Sequence, residues 1–143
     1  MKQNPSRLKY KKYHRPSSFL LYCNEQKNFF ALRGQFALRA LENNKLTYNQ
    51  IEACRKSIRR MLNKKGIVIL RIFTNISLTK KALGSRMGKG KGSHYLWVSN
   101  VKKGQIICEI ICNIKDKLDL VIKALKTAST KLSIKTAITY NYY

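Results

Sequence analysis

The sequence predicts an α+β fold. Three observations predict it: two segments repeat apolar residues at helical spacing, several others are strand-length runs rich in β-branched and aromatic residues, and two such runs flank a short glycine turn. A chain of 143 residues has room for one domain with its own core. Residues 1–18 read as a basic arm and residues 19–143 as that domain.

The arm holds Lys2, Arg7, Lys9, Lys11, Lys12, His14 and Arg15, with Tyr10 and Tyr13 interleaved and no acid before Glu25. No periodic apolar face runs through it. Its cations are suited to phosphates and its tyrosines to stacking on bases or packing on the domain; a disordered solubilising tail is the alternative. Three apolar runs follow, at 19–22, 29–32 and 36–41, and read as strands, with a turn at 42–45. Thr47 with Gln50 then forms a capping box, Leu46 and Ile51 are placed as a hydrophobic staple, and Ile51, Cys54, Ile58, Met61 and Leu62 make the apolar stripe of a helix that ends before Gly66. Its other face carries Arg55, Lys56, Arg59 and Arg60, with Glu52 the one acid placed to pair with Lys56, and is expected to face RNA rather than solvent alone.

The run 67–73 reads as a strand, central in a sheet, and 74–85 as a loop. Next comes Arg86-Met87-Gly88-Lys89-Gly90-Lys91-Gly92, where alternating glycines allow positive φ and the lysines and arginine project cations. Residues 95–101 and 105–112 make a hairpin across the turn at Lys102, Lys103 and Gly104. A second helix starts near Asp116 with Leu118, Val121, Ile122, Leu125 and Ala128 on one stripe, and 132–139 alternates as a last strand.

Thirty Lys and Arg against six Asp and Glu give a formal charge of +24, far more than solubility requires. A compact chain with that charge repels itself, so a polyanion is the expected partner, and nucleic acid fits better than a membrane surface. No apolar run approaches the roughly 20 residues of a spanning helix. Between Glu52 and Glu109 there is no acid, while basic residues include Arg55, Arg59, Arg60, Arg71, Lys80, Lys81, Arg86, Lys89 and Lys91. The cysteines, Cys23, Cys54, Cys108 and Cys112, lack zinc-ligand spacing and read as buried thiols in a reducing compartment. No metal or cofactor is expected.

Enzymatic chemistry is poorly served. The two histidines, His14 and His94, and six scattered carboxylates offer no convergent acid, base and nucleophile. The glycine loop fails the P-loop pattern, since Ser85 stands where its first glycine belongs and Gly92 follows the lysine. It also fails the dinucleotide fingerprint, because the third glycine comes one residue early. What remains is a loop whose amides and cations can follow a phosphate backbone. Within it, Arg86 offers a planar fork and Lys89 and Lys91 offer point charges, while Met87 is expected to pack locally and Trp97 to enter the core.

Collinear motifs add a resemblance. Pro5 and the spaced cations to His14, residues 36–40, Leu46-Thr47 with 50–55, 71–73, 78–81, 86–92, Trp97-Val98, Gly104, Glu109, Leu132 and 134–136 resemble large-subunit ribosomal protein sixteen of bacteria and organelles. The resemblance implies an α+β domain, with a mixed or antiparallel sheet and two helices packed on it, beside the basic arm and the Gly-Lys loop. It implies a non-enzymatic place in the large subunit, against large-subunit rRNA on the aminoacyl-tRNA side, with the loop directed toward tRNA and the peptidyl-transferase region. Neighbouring large-subunit proteins are the other partners, and no homo-oligomer is expected. Arm residues Arg7, Lys9, Lys11 and Lys12 and loop residues Arg86, Met87, Gly88, Lys89, Gly90, Lys91 and Gly92 fall on the family's motifs. Ala37 in place of glycine and missing prolines near Ala82 and Ser133 suggest a divergent organellar version. Because the arm begins at Pro5 with no room for a long presequence, an organelle-encoded protein of the mitochondrial matrix is expected, with a plastid or bacterial cytoplasm as the alternative. A free RNA-binding regulator or chaperone is the rival function.

Overall fold

The computed structural model describes residues 4–5, 8–14, 24–25, 27–28, 30–63, 66–112 and 118–140. Arg7, Cys23, the run at 19–22 and the expected helix start at Asp116 lie outside them. The described elements run β1 (Phe36–Ala40), β2 (Asn44–Thr47), α1 (Tyr48–Met61), β3 (Ile67–Leu70), β4 (Ile76–Lys80), β5 (Ser93–Val101), β6 (Ile106–Ile111), α2 (Leu118–Ser129) and β7 (Thr136–Tyr140). This is the α+β class that the patterns predict. Its strands form two sheets, a four-stranded one in the order β3-β6-β1-β7 and a three-stranded one in the order β2-β5-β4. Every pairing is antiparallel.

The capping box forms as the sequence requires. The Thr47 amide donates to Gln50 Oε1 at 2.9 Å and the Gln50 amide to Thr47 Oγ1 at 3.4 Å, satisfying two amides at the helix start. Leu46, Ile51, Cys54 and Ile58 are fully buried in one core with Leu38, Cys108 and Ile110 of the larger sheet and Val121 and Leu125 of α2. The helices pack on each other as well as on the sheets. Cys54 on α1 and Cys108 on β6 meet at this seam. Their thiol hydrogen bond, with burial, pushes the Cys108 thiol well above its ordinary range, so it stays protonated and acts as packing. Cys54, Cys108 and Cys112 are buried thiols outside any disulfide.

Several local expectations are corrected. The strand at 67–73 stops at Leu70 and lies at a sheet edge, with Ile67 63 % exposed; its unbroken apolar run suggested a central position because residue type alone does not show how many neighbours a strand has. Residues 76–80 are a strand rather than loop, their polar side chains being tolerable because β4 is also an edge. The turn at 42–45 gives way to β2 at Asn44. The hairpin expected of 95–101 and 105–112 does not form: the turn closes, with the Gln105 amide donating to the Lys102 carbonyl at 3.0 Å, but β5 pairs with β2 and β4 while β6 pairs with β3 and β1 in the other sheet, since a turn reverses the chain without choosing each strand's partners. The last strand starts at Thr136, not 132, although Leu132 and Ile134 are buried. Ala31 is buried outside any strand, and the only strand among the described residues of the early runs is β1.

What holds residues 30–35 instead is Glu109. Its fully buried carboxylate accepts from the backbone amides of Leu32 (3.2 Å), Arg33 (3.0 Å) and Gly34 (2.9 Å) and meets Arg71 Nε at 3.3 Å. The segment therefore lies on the sheet face opposite the helices, where Ala31, Ala37 and Ile106 form a small second core. Gly34 is required for this approach: a Cβ there would stand 2.7 Å from Glu109 Cβ and 2.9 Å from the Ile110 nitrogen.

Candidate nucleic-acid interface

The three-stranded sheet carries the arm and the loop together. The β4–β5 connection is the glycine loop, and at its base Gly92 approaches the opposite strand so closely that a Cβ would meet the Lys80 carbonyl oxygen at 2.5 Å. The positive φ that the glycine spacing predicts is present at Gly88 (93°), Lys89 (52°) and Gly90 (85°). Gly92 is needed for a different reason, close backbone approach, and that distinction is invisible in the alternation of glycine and lysine. Lys81 Nζ donates to the Gly88 carbonyl at 2.5 Å, bracing the loop from its own stem.

The arm is seated on this sheet. Thr74 Oγ1 donates to Asn4 Oδ1 at 2.8 Å, Lys12 Nζ to the Lys91 carbonyl at 3.1 Å, and Lys91 Nζ to the Tyr13 carbonyl. Tyr13 also sets its ring edge-on to Trp97, with 6.2 Å between centroids, and His94 packs on the same indole at 4.7 Å. Trp97 is thus half-buried beneath the arm rather than in the core, a position that depends on a long-range contact. His94 has Nδ1 2.7 Å from Ser77 Oγ and serves this packing.

Lys9, Lys11, Lys12, Lys80, Arg86, Lys89 and Lys91 are exposed, whereas Lys81 is half-buried. The arm thus brings Lys12 against the loop, and the sheet brings Lys80 to its stem. Lys80 also places its ammonium 5.3 Å from the centre of the Tyr95 ring, and Tyr95 is 58 % exposed. Met87, expected to pack locally, is 95 % exposed, and Leu83 is 98 % exposed. The sequence reading missed Leu83; an isolated leucine among turn-forming residues was its one signal. These bare apolar side chains stand among cations, an arrangement suited to bases whose phosphates are neutralised alongside.

The helix cations form a separate group. Arg59 and Arg60 are exposed in the last turn of α1, but Arg55 is paired with Glu52 through two hydrogen bonds of 2.7 and 2.9 Å. Lys56 is more distant from Glu52, at 3.9 Å. The hydrogen-bonded Arg55 guanidinium holds the Glu52 carboxyl below its ordinary range. A lowered folded-state pKa means stability that is present above the unfolded value and lost as pH falls through the folded one. We therefore expect Glu52→Gln to lose at most about 1 kcal/mol at pH 7 and to flatten the acid limb of the stability profile. Denaturant titration between pH 7 and pH 2 checks this, an unchanged acid limb being the contrary result.

Among the described residues, no cluster of His, Cys, Asp and Glu could hold a metal ion, and no helix is long and apolar enough to cross a membrane. The chain is similar to the large ribosomal subunit protein uL16 of Carsonella ruddii, 40 % identical across 98 % of this chain and 99 % of the relative. It is similarly related to uL16 of Kosmotoga olearia, 41 % identical across 96 % of this chain and 94 % of the relative, and to that of Fervidobacterium nodosum, 39 % identical across 97 % and 94 %. With the family match running through residues 5–139, from the arm to the last strand, the chain belongs to the ribosomal protein L16p/L10e family.

Proposed function

We propose that the protein is a structural constituent of the large ribosomal subunit, where arm and loop bind large-subunit rRNA and help position tRNA near the aminoacyl site and the peptidyl-transferase region. The observation that carries this reading is the joint seating of the arm and the glycine loop on the β2-β5-β4 sheet. Two cationic segments far apart in sequence thereby form one surface, and family membership supplies the ribosomal setting. A ribosomal protein of this kind neutralises and orders RNA and carries out no reaction itself. Neighbouring large-subunit proteins complete its partners, and a single copy suffices.

Arg86, Lys89 and Lys91 are assigned to phosphates, with the arginine fork also able to stack on an unpaired base. Lys9 and Lys11 extend the same track. Arg7 is assigned to it by motif, and Lys80 and Lys81 hold the loop's stem. The relatives named above are bacterial, which favours a bacterial type of ribosome; a mitochondrial location rests on the divergent motif positions.

Sedimentation of native ribosomes at rising salt tests the assignment. The protein is expected to co-migrate stoichiometrically with large-subunit RNA at moderate salt. A persistent free pool, with loss from the subunit under those conditions, would instead identify a free RNA-binding regulator.

A further inference from the structure

Among the cations of the loop and its stem, Lys81 stands apart: it is half-buried where Lys80, Arg86, Lys89 and Lys91 are exposed. Among the described residues no carboxylate pairs with its ammonium, which donates instead to the Gly88 carbonyl, seven residues on, at 2.5 Å. We propose that Lys81 is a positioning residue, which makes no contact with RNA and sets the conformation in which the loop presents Lys89. The proposal rests on the RNA-binding reading above and concerns the control of that same loop.

The stem gives Lys81 a fixed base. A Cβ on Gly92 would stand 2.8 Å from the Lys81 nitrogen and 2.5 Å from the Lys80 oxygen, so the two limbs of the loop meet backbone to backbone. From that base the side chain reaches one peptide, the link between Gly88 and Lys89. Control matters at this point. Lys89 is the loop's one non-glycine at positive φ (52°), between Gly88 (93°) and Gly90 (85°). An L residue holds that region only where its surroundings impose it. Lys81 supplies such a contact, because gripping the carbonyl orients the rigid peptide plane about which the Lys89 φ is set.

The same bond decides where the Lys89 amide points. In a planar trans peptide the N–H is directed away from the C=O, and the described residues contain no cis bond. With the Gly88 carbonyl turned toward Lys81, the Lys89 amide is turned away from it, and no group among the described residues accepts from that amide. Lys89 therefore has both an amide and an ammonium to offer a phosphate. A lysine that only added charge would stand as exposed as its neighbours. The buried stem of Lys81 and its charge-assisted bond commit it to the loop's own backbone.

Salt titration of the affinity of the full chain for large-subunit rRNA separates positioning from contact. Lys81→Met keeps an apolar stem and removes the donor. It is expected to weaken binding by about tenfold at about 0.1 M salt with an unchanged salt slope, since no phosphate contact is lost. Lys89→Ala should instead lower the slope by about 0.7–0.9. Lys81→Arg, which retains a donor, is expected to restore most of the affinity. In the free chain, with the remaining amide spectrum confirming the fold, the Lys89 amide resonance should move in Lys81→Met, return in Lys81→Arg and stay in place in Lys80→Met. A slope for Lys81→Met as low as that of Lys89→Ala would make Lys81 a phosphate contact and overturn the proposal. Wild-type affinity or an unmoved Lys89 resonance in Lys81→Met would overturn it too, as would a wild-type slope in Lys89→Ala. Failure of the wild-type chain to bind rRNA would refute the RNA-binding reading itself.

Discussion

Replacing Glu109 by Ala is expected to cost about 3–5 kcal/mol of folding stability, because it leaves the Arg71 charge unpaired in the interior and removes the acceptor of three backbone amides. The loss should be local before it is global. Hydrogen exchange is expected to show the amides of Leu32, Arg33 and Gly34 released first, since their acceptor is gone while the main core around Leu38 and Ile58 is untouched. Glu109→Gln is the informative companion. It preserves volume but sets an NH2 group among amide donors and removes the charge opposite Arg71, so an intermediate loss is expected. Gly34→Ala should detach the same segment by steric means, the new Cβ meeting backbone at Ile110. A shift of less than about 1 kcal/mol for Glu109→Ala in denaturant titration would show that the carboxylate does not anchor this segment.

The difference between what could and could not be read from the sequence follows the range of the interactions. The α1 boundary was legible because its cap is local: Thr47 and Gln50 satisfy each other across a single turn. The helix stripes were legible for the same reason, and Val121, Leu125 and Ala128 are buried as their spacing requires. The α+β class followed from short-range patterns, whereas the hairpin expected from the same patterns does not form, because the strands on either side of the turn take partners from elsewhere in the chain. By contrast, the edge position of β3 depends on which strands pair across the chain, and Glu109 appears in sequence only as an acid within an apolar run. Its amide partners stand 75 to 77 residues away.

The candidate site divides in the same way. The loop's positive-φ conformation was readable from its glycines, and the cationic character of its span from the missing acids. The arm's attachment was not, because a tyrosine in a basic segment carries no sign that Trp97 lies beneath it. Arg55 and Arg71 show the opposite error. Both counted toward the basic span, yet both are held by carboxylates of their own chain. The approach of α2 to the helix cations was hidden as well, since Lys131 becomes a neighbour of Arg60 only once the helices pack.

Removing Arg86, Lys89 and Lys91 together by Ala is expected to weaken rRNA binding by on the order of 10²-fold at about 0.1 M salt, since each lost phosphate contact forfeits roughly 0.7–0.9 released counterions. The same variant should lower the salt slope by about 2–3. Charge loss alone does not show that loop shape matters, so a second variant separates the two. Gly88→Ala with Gly90→Ala keeps every cation, and neither new Cβ meets an atom within 4 Å, but both residues sit at positive φ. The strain is therefore confined to the backbone, at about 1–2 kcal/mol per residue, and falls on the conformation that presents Lys89. If the cations act through a fixed loop geometry, this variant should lose affinity despite its intact charge. Equal affinity for the glycine variant, with a large loss for the cation variant, would show that the loop acts as a flexible polycation. Wild-type affinity and slope in both would remove the loop from the RNA-binding surface.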